Sequence, residues 1–255
     1  METVFHHGRE TAYEAHDRGG EGVTMLCVHG SGGSSEVWKS QARLADERPV
    51  VALDLSGHGE SEDINAEAGF GALSAYADDV IAVAEETDSN ILVGNSLGGA
   101  IVLHIALYRE FEPDALVLTG TGAKLAVLED LLAWLSEDFE RAIEFLHEPE
   151  HLFYDENDEL LALSRKSMEE CGRAVVERDF RSCHTFDVRG ELGDIDVPTL
   201  AVCGEHDRLT PPEYHEYLAS EIPDCELVAI DGAAHMVMLE QSEAFNERVS
   251  DFLDQ

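Results

Sequence analysis

At 255 residues, 44% of them hydrophobic, the chain can bury one well-filled core, and α/β units of about 200–250 residues often form a single domain. Its 16 Lys and Arg stand against 54 Asp and Glu, a formal net charge of −38. That balance makes nucleic acid the least suitable partner, because phosphate binding rests on Lys and Arg, and it offers an anionic membrane no polybasic patch.

In chain order, residues 4–15 alternate loosely around Gly8-Arg9-Glu10 and read as an opening hairpin. Six apolar runs follow, at 23–28, 49–53, 90–93, 115–118, 198–202 and 226–230, each ending at a turn with glycine or aspartate. Continuous Val/Leu/Ile runs are the pattern of strands buried on both faces, and helical stretches between them imply a parallel sheet with right-handed crossovers. Between Gly122 and Pro198 no strand-like run occurs. Leu125, Leu128, Leu131, Leu132, Leu135 and Phe139 instead follow three- and four-residue steps. This stretch reads as a helical insertion that packs its stripe onto the sheet domain and lies as a lid above the strand ends.

Acidic residues are spread along the chain, and only Lys39, Lys124 and Lys166 are lysines. A solvated acidic shell is the first reading of that surface, and recruitment of a cationic substrate the second. Of five cysteines without CxxC spacing, Cys27 and Cys203 lie in apolar runs and are expected as core residues in a reducing compartment. No apolar run approaches 18 residues and no signal-like segment opens the chain, so a soluble, cytoplasmic protein is expected.

Gly94-Asn95-Ser96-Leu97-Gly98 follows the run Ile91-Leu92-Val93 and precedes the apolar helical stretch at 99–106. A G-x-S-x-G segment between strand and helix is the nucleophile elbow, a sharp turn that only glycine flanks tolerate. Ser96 is the expected nucleophile. The Leu97 N–H at the helix start is one expected oxyanion donor. The second comes from His29-Gly30-Ser31-Gly32-Gly33 after the first parallel strand, with the Ser31 N–H preferred and Gly32 as fallback. His29 itself is expected to hold that loop.

After such an elbow the acid and then the histidine follow in the chain. Asp207, beyond the run at 198–202, is the expected acid, and His235, beyond 226–230, the expected base, both at the carboxyl ends of strands. Glu205 is expected to face elsewhere, Asp231-Gly232 to be a turn, and His206 to face solvent. The segment at 54–61, with Asp54, His58 and Glu60, has no second cluster of ligands at metal spacing and reads as a structural turn.

Val28-His29-Gly30, the segment at 54–61, Gly94 to Gly99, Gly204 with 207–211, and Ala234-His235 with Leu239-Glu240 together resemble the α/β-hydrolase fold-1 family over essentially the whole chain. The resemblance implies a mostly parallel sheet flanked by helices, with a core of residues 1–120 and 188–255 and a small helical cap at 121–187. It implies a Ser96–His235–Asp207 triad, an oxyanion hole from Ser31 and Leu97, a small-molecule substrate, and neither cofactor nor metal. Ser96 stands where relatives that open epoxides or remove halides carry Asp. Asn95 is similar to the elbow of meta-cleavage carbon–carbon bond hydrolases, but Met236 stands where those usually have Trp. The acidic composition resembles that of proteins from salt-loving archaea. Cleavage of a small, largely apolar carboxylic ester is therefore the expected activity. Carbon–carbon bond hydrolysis and non-catalytic ligand binding stay open beside it, and the oligomeric state is not legible.

Overall fold

The computed structural model describes residues 1–155 and 157–255; residue 156, inside the expected insertion, lies outside them. Strands β1 (Glu2–His6) and β2 (Arg9–His16) form the expected opening hairpin, and β2 pairs antiparallel with β4 (Val50–Leu53). From there the sheet is parallel: β3 (Thr24–Val28), β5 (Ser89–Asn95), β6 (Ala115–Thr119), β7 (Thr199–Gly204) and β8 (Cys225–Ile230). The eight strands run in the order β1-β2-β4-β3-β5-β6-β7-β8. All six apolar runs are strands. This is the α/β-hydrolase fold.

Period-two alternation explains why those runs are continuous rather than mixed with polar residues. Leu26 and Val28 of β3 join one apolar cluster, shared with helices α1 (Phe70–Thr87) and α2 (Leu97–Tyr108). Met25 and Cys27 point the other way, into a second cluster with Trp38 and with Phe245 and Val249 of the last helix, Ser242–Leu253. Strand β8 departs from the expected burial on both faces: as the outermost strand it leaves Glu226, Leu227 and Ala229 exposed. After β3 the chain forms two 3-10 helices, Ser35–Trp38 and Gln41–Asp46, rather than a long helix.

Between β6 and β7 the described residues form four α-helices, α3 (Glu129–Glu137), α4 (Phe139–Leu146), α5 (Asp158–Cys171) and α6 (Arg173–Thr185), and a 3-10 turn at Leu192–Asp194. Only the start of the stripe packs onto the sheet domain as expected: Leu125, with Cys183 of α6, joins the cluster of β3, α1 and α2. Leu131, Leu135, Ile143, Leu146, Met168 and Val176 form a cluster of their own. That cluster meets the rest of the chain through loop residues Leu209, Met236 and Leu239, beyond the carboxyl ends of β7 and β8. After β7 come α7 (Pro212–Glu221) and, after β8, α8 (Val237–Glu240) and α9 (Ser242–Leu253). Among the described residues no helix is long and apolar enough to cross a membrane.

Candidate active site

Every expected site residue lies beyond the carboxyl end of a parallel strand, where open α/β sheets collect their loops. Ser96 sits between β5 and α2 at φ 55 and ψ −116, a conformation non-glycine residues seldom adopt. The packing shows why the elbow needs its glycines. A Cβ on Gly94 would lie 2.5 Å from the backbone of Gly98, and one on Gly98 would collide with Val28 O of β3. The collisions are thus between the elbow's own arms and with the neighbouring strand, so the turn can tighten only without those side chains.

Asp207 and His235 are brought together across 28 residues of sequence: His235 Nδ1 lies 2.9 Å from Asp207 Oδ2. Both are buried. The carboxylate is held from its other sides by the N–H groups of Leu209 (2.8 Å) and Thr210 (2.9 Å) at Oδ1 and by the Thr210 hydroxyl (2.7 Å) at Oδ2. Burial pushes the Asp207 carboxyl up, but the charge and hydrogen bond of His235 and the Thr210 bonds outweigh it, leaving Asp207 below the ordinary carboxylate range. An acid that stays ionised fixes the Nδ1–H tautomer, and Nε2 is the nitrogen left to take a proton. Among the described residues the ring's hydrogen bonds are all made by Nδ1.

Leu97 is the first residue of α2, so its N–H has no partner within the helix. In the loop after β3, the N–H of Gly32, the fallback donor, is directed at Asp179 Oδ2 (3.4 Å). The Ser31 hydroxyl is buried with no partner among the described residues. His29 holds the loop as expected: Nε2 accepts the Leu55 N–H (3.0 Å), which places the proton on Nδ1, and Nδ1 donates to Gly30 O (2.8 Å).

Ser31, Ser96 and His235 line one cavity of about 1050 Å³ beneath the α3–α6 helices. Its wall is largely apolar, with Leu128, Phe145, Phe153, Phe180, Met236 and Leu239. Of the insertion residues expected to face either pocket or core, Leu128 and Phe145 line the cavity, whereas Leu132 and Phe139 do not. Glu205 is exposed, and Asp231 closes its own turn through the Gly232 N–H. His206 differs from expectation. It is half-buried, its ring stacked 4.0 Å from that of Tyr154, because the insertion covers this loop. Among the described residues no group of three or more His, Cys, Asp or Glu is placed to hold a metal ion.

Three contributors escape sequence reasoning. Thr210 bonds both Asp207 and His235 Nδ1 (3.2 Å); a Thr three residues after an Asp is the one local signal for it. Glu240 accepts N–H groups from Ala234 of the histidine loop (2.8 Å) and from Tyr154 of the insertion (2.7 Å). The same stretch of the insertion is bonded to the loops that carry Asp207 and His235, through Arg208 N–H to Glu150 O and Met236 N–H to Leu152 O. Nothing local in the sequence marks these long-range pairs.

The chain matches the alpha/beta hydrolase family over residues 25–248. It is 28% identical to a pimeloyl-(acyl-carrier protein) methyl ester esterase of Neisseria meningitidis, across 90% of this chain and 93% of that one. It is 27% identical to a 2-hydroxy-6-oxo-6-phenylhexa-2,4-dienoate hydrolase of Burkholderia cepacia, across 92% and 88%. The structure of a thermophilic esterase is similar with a TM-score of 0.86 and 31% identity, covering 99% of this chain and 96% of that one. The chain belongs to the alpha/beta hydrolase family.

Proposed function

We propose that this protein is a serine hydrolase that cleaves a largely apolar carboxylic ester through an acyl-enzyme. The reading rests on one observation above others: the buried His235–Asp207 pair, 2.9 Å apart, shares a cavity with a serine held at positive φ on a strand-to-helix turn. Ser96 Oγ attacks the ester carbonyl while His235 Nε2 takes its proton, and the imidazolium is stabilised by Asp207. The Ser31 and Leu97 N–H groups receive the oxyanion. The tetrahedral intermediate collapses, the alkoxide leaves with the proton from His235, and the acyl group stays on Ser96. Water, deprotonated by His235, then releases the acid and restores the serine. In this reading residues 1–120 and 188–255 are the core and 121–187 the cap.

The cavity of about 1050 Å³ stands just above the range of roughly 300–1,000 Å³ for small-ligand sites. Its apolar wall favours an acyl chain longer than acetyl, since each buried methylene contributes up to about 0.8 kcal/mol. With p-nitrophenyl esters, kcat/KM is expected to rise at least about tenfold from acetate to hexanoate. A steady decline from acetate onward would contradict the reading of the cavity as an acyl site. A second reading, hydrolysis of the carbon–carbon bond of a vinylogous diketone, draws on Asn95 at the elbow and on the Burkholderia relative. Assaying such a diketone beside the ester series separates the two.

We read the acidic surface as a shell suited to high salt, where screening relieves the repulsion of a net charge of −38. The melting temperature should then climb between low and molar KCl. A flat or falling profile rejects the adaptation.

A further inference from the structure

The cap reaches the candidate site through more than its apolar wall, by gripping one residue of the loop after β3. Gly33 N–H bonds Gly30 O (3.1 Å), closing a turn with Ser31 and Gly32 at its centre. Gly32 takes φ +66, the left-handed value that a type II turn requires at this position. Both polar groups of Gly32 are held by cap side chains. Its N–H lies 3.4 Å from Asp179 Oδ2 on α6, and its carbonyl accepts the Ser167 hydroxyl of α5 at 2.9 Å. Met168 and Val176 pack over the same residue, so closely that a Cβ there would come within 2.9 Å of Met168.

Asp179 is fully buried, so its charge needs partners. Tyr76 OH donates to Oδ1 (2.6 Å), and His58 Nε2 meets Oδ2 (2.9 Å). Arg178 Nε in turn donates to Tyr76 OH (2.9 Å). Burial pushes His58 down, yet the charge and hydrogen bond of Asp179 prevail and hold it well above the ordinary histidine range. The cationic ring lies 4.7 Å from that of His29, which burial and the His58 charge lower to about 4. A neutral His29 is what the Leu55 N–H and Gly30 O bonds demand. His58, in the turn at 54–61, is one end of a cap-to-core pair with Asp179.

We propose that Asp179 is a positioning residue: with Ser167 it locks the Gly32 peptide groups, and so aims the neighbouring Ser31 N–H at the oxyanion. The inference rests on the proposed serine-hydrolase reading. A turn whose central peptide has no acceptor can flip toward the commoner type I form, which needs no positive φ. Asp179 and Ser167 remove that freedom before substrate arrives, and preorganised donors are what oxyanion stabilisation requires.

Steady-state hydrolysis of p-nitrophenyl hexanoate by Asp179→Ala, Ser167→Ala and Ser182→Ala, each below its melting temperature, tests this. Ser182 is the control: it lies on α6 and ties cap to core through the Gly69 N–H (2.9 Å), but does not touch the loop. Loss of a whole oxyanion donor costs about 10²–10³ in kcat, so mis-aiming one should lower kcat at least about tenfold in Asp179→Ala and several-fold in Ser167→Ala. KM should stay within about threefold, and Ser182→Ala should keep its kcat. Should Asp179→Ala fail to fold, Ser167→Ala carries the test, because it leaves the buried ion pair intact. Unchanged kcat in Ser167→Ala, or an equal loss in Ser182→Ala, overturns the positioning role while leaving the hydrolase reading in place. A wild-type protein without esterase activity overturns both.

Discussion

Replacing Ser96 by Ala is expected to lower the turnover of p-nitrophenyl hexanoate by at least about 10³-fold, since loss of a triad nucleophile removes the covalent route altogether. What survives is the weaker catalysis that an oxyanion hole and substrate binding provide alone. The fold should be untouched. The Ser96 hydroxyl makes no hydrogen bond among the described residues, and the backbone bonds of the elbow run from Ser96 N–H to Thr119 O (3.0 Å) and from the Thr121 hydroxyl to Ser96 O (2.9 Å). Ala tolerates φ 55 no better and no worse than Ser, so stability should change by less than about 0.5 kcal/mol. Activity lost together with the folded state, in calorimetry or circular dichroism, would point instead to a structural serine.

Asp207→Asn should cost about 10³–10⁴ in kcat, from a different cause. Every group on this carboxylate is a donor: Leu209 N–H, Thr210 N–H, the Thr210 hydroxyl and His235 Nδ1. An amide has one acceptor oxygen. Its NH₂ must therefore face one of these donors, and the strain is relieved when His235 moves its proton to Nε2, turning Nδ1 into an acceptor. That tautomer cannot deprotonate Ser96. KM should hardly move, because Asp207 lies behind the histidine rather than among the cavity-lining residues. The wild-type carboxyl is held below its ordinary value, so the stability it contributes is present above the unfolded pKa of about 3.9 and is lost as pH falls through the folded one. Asp207→Asn should therefore cost stability mainly above the unfolded pKa and flatten the acid-side fall of the stability profile, with variant and wild type converging at low pH. A variant that keeps a wild-type kcat excludes Asp207 as the orienting acid.

The strands were legible because β3, β5, β6 and β7 are buried on both faces, which forces continuous apolar runs. Strand β8 was found by its bounds but not by its burial, since an edge position is a tertiary fact. The elbow was legible because its geometry imposes glycine at fixed spacing, and Asp207 and His235 because they follow strands that a reader can count. Asp179 and Ser167 were not, and Glu240 stood in a family-like segment with no sign of the N–H groups it holds. Asp179 meets Gly32 across 147 residues and Ser167 meets it across 135, and neither Asp nor Ser in a helix carries a sign of what it faces. The insertion is legible as helical by its stripe, yet beyond Leu125 much of that stripe closes on itself, because the helices present enough apolar surface to form a second cluster.

Labelling with a fluorophosphonate, followed by peptide mass spectrometry, probes the reactive hydroxyl without any knowledge of the natural substrate. One phosphonyl adduct on the peptide bearing Ser96, absent from Ser96→Ala and strongly slowed in Asp207→Asn, is the predicted outcome. An unlabelled wild-type protein, or an adduct on another residue, contradicts it.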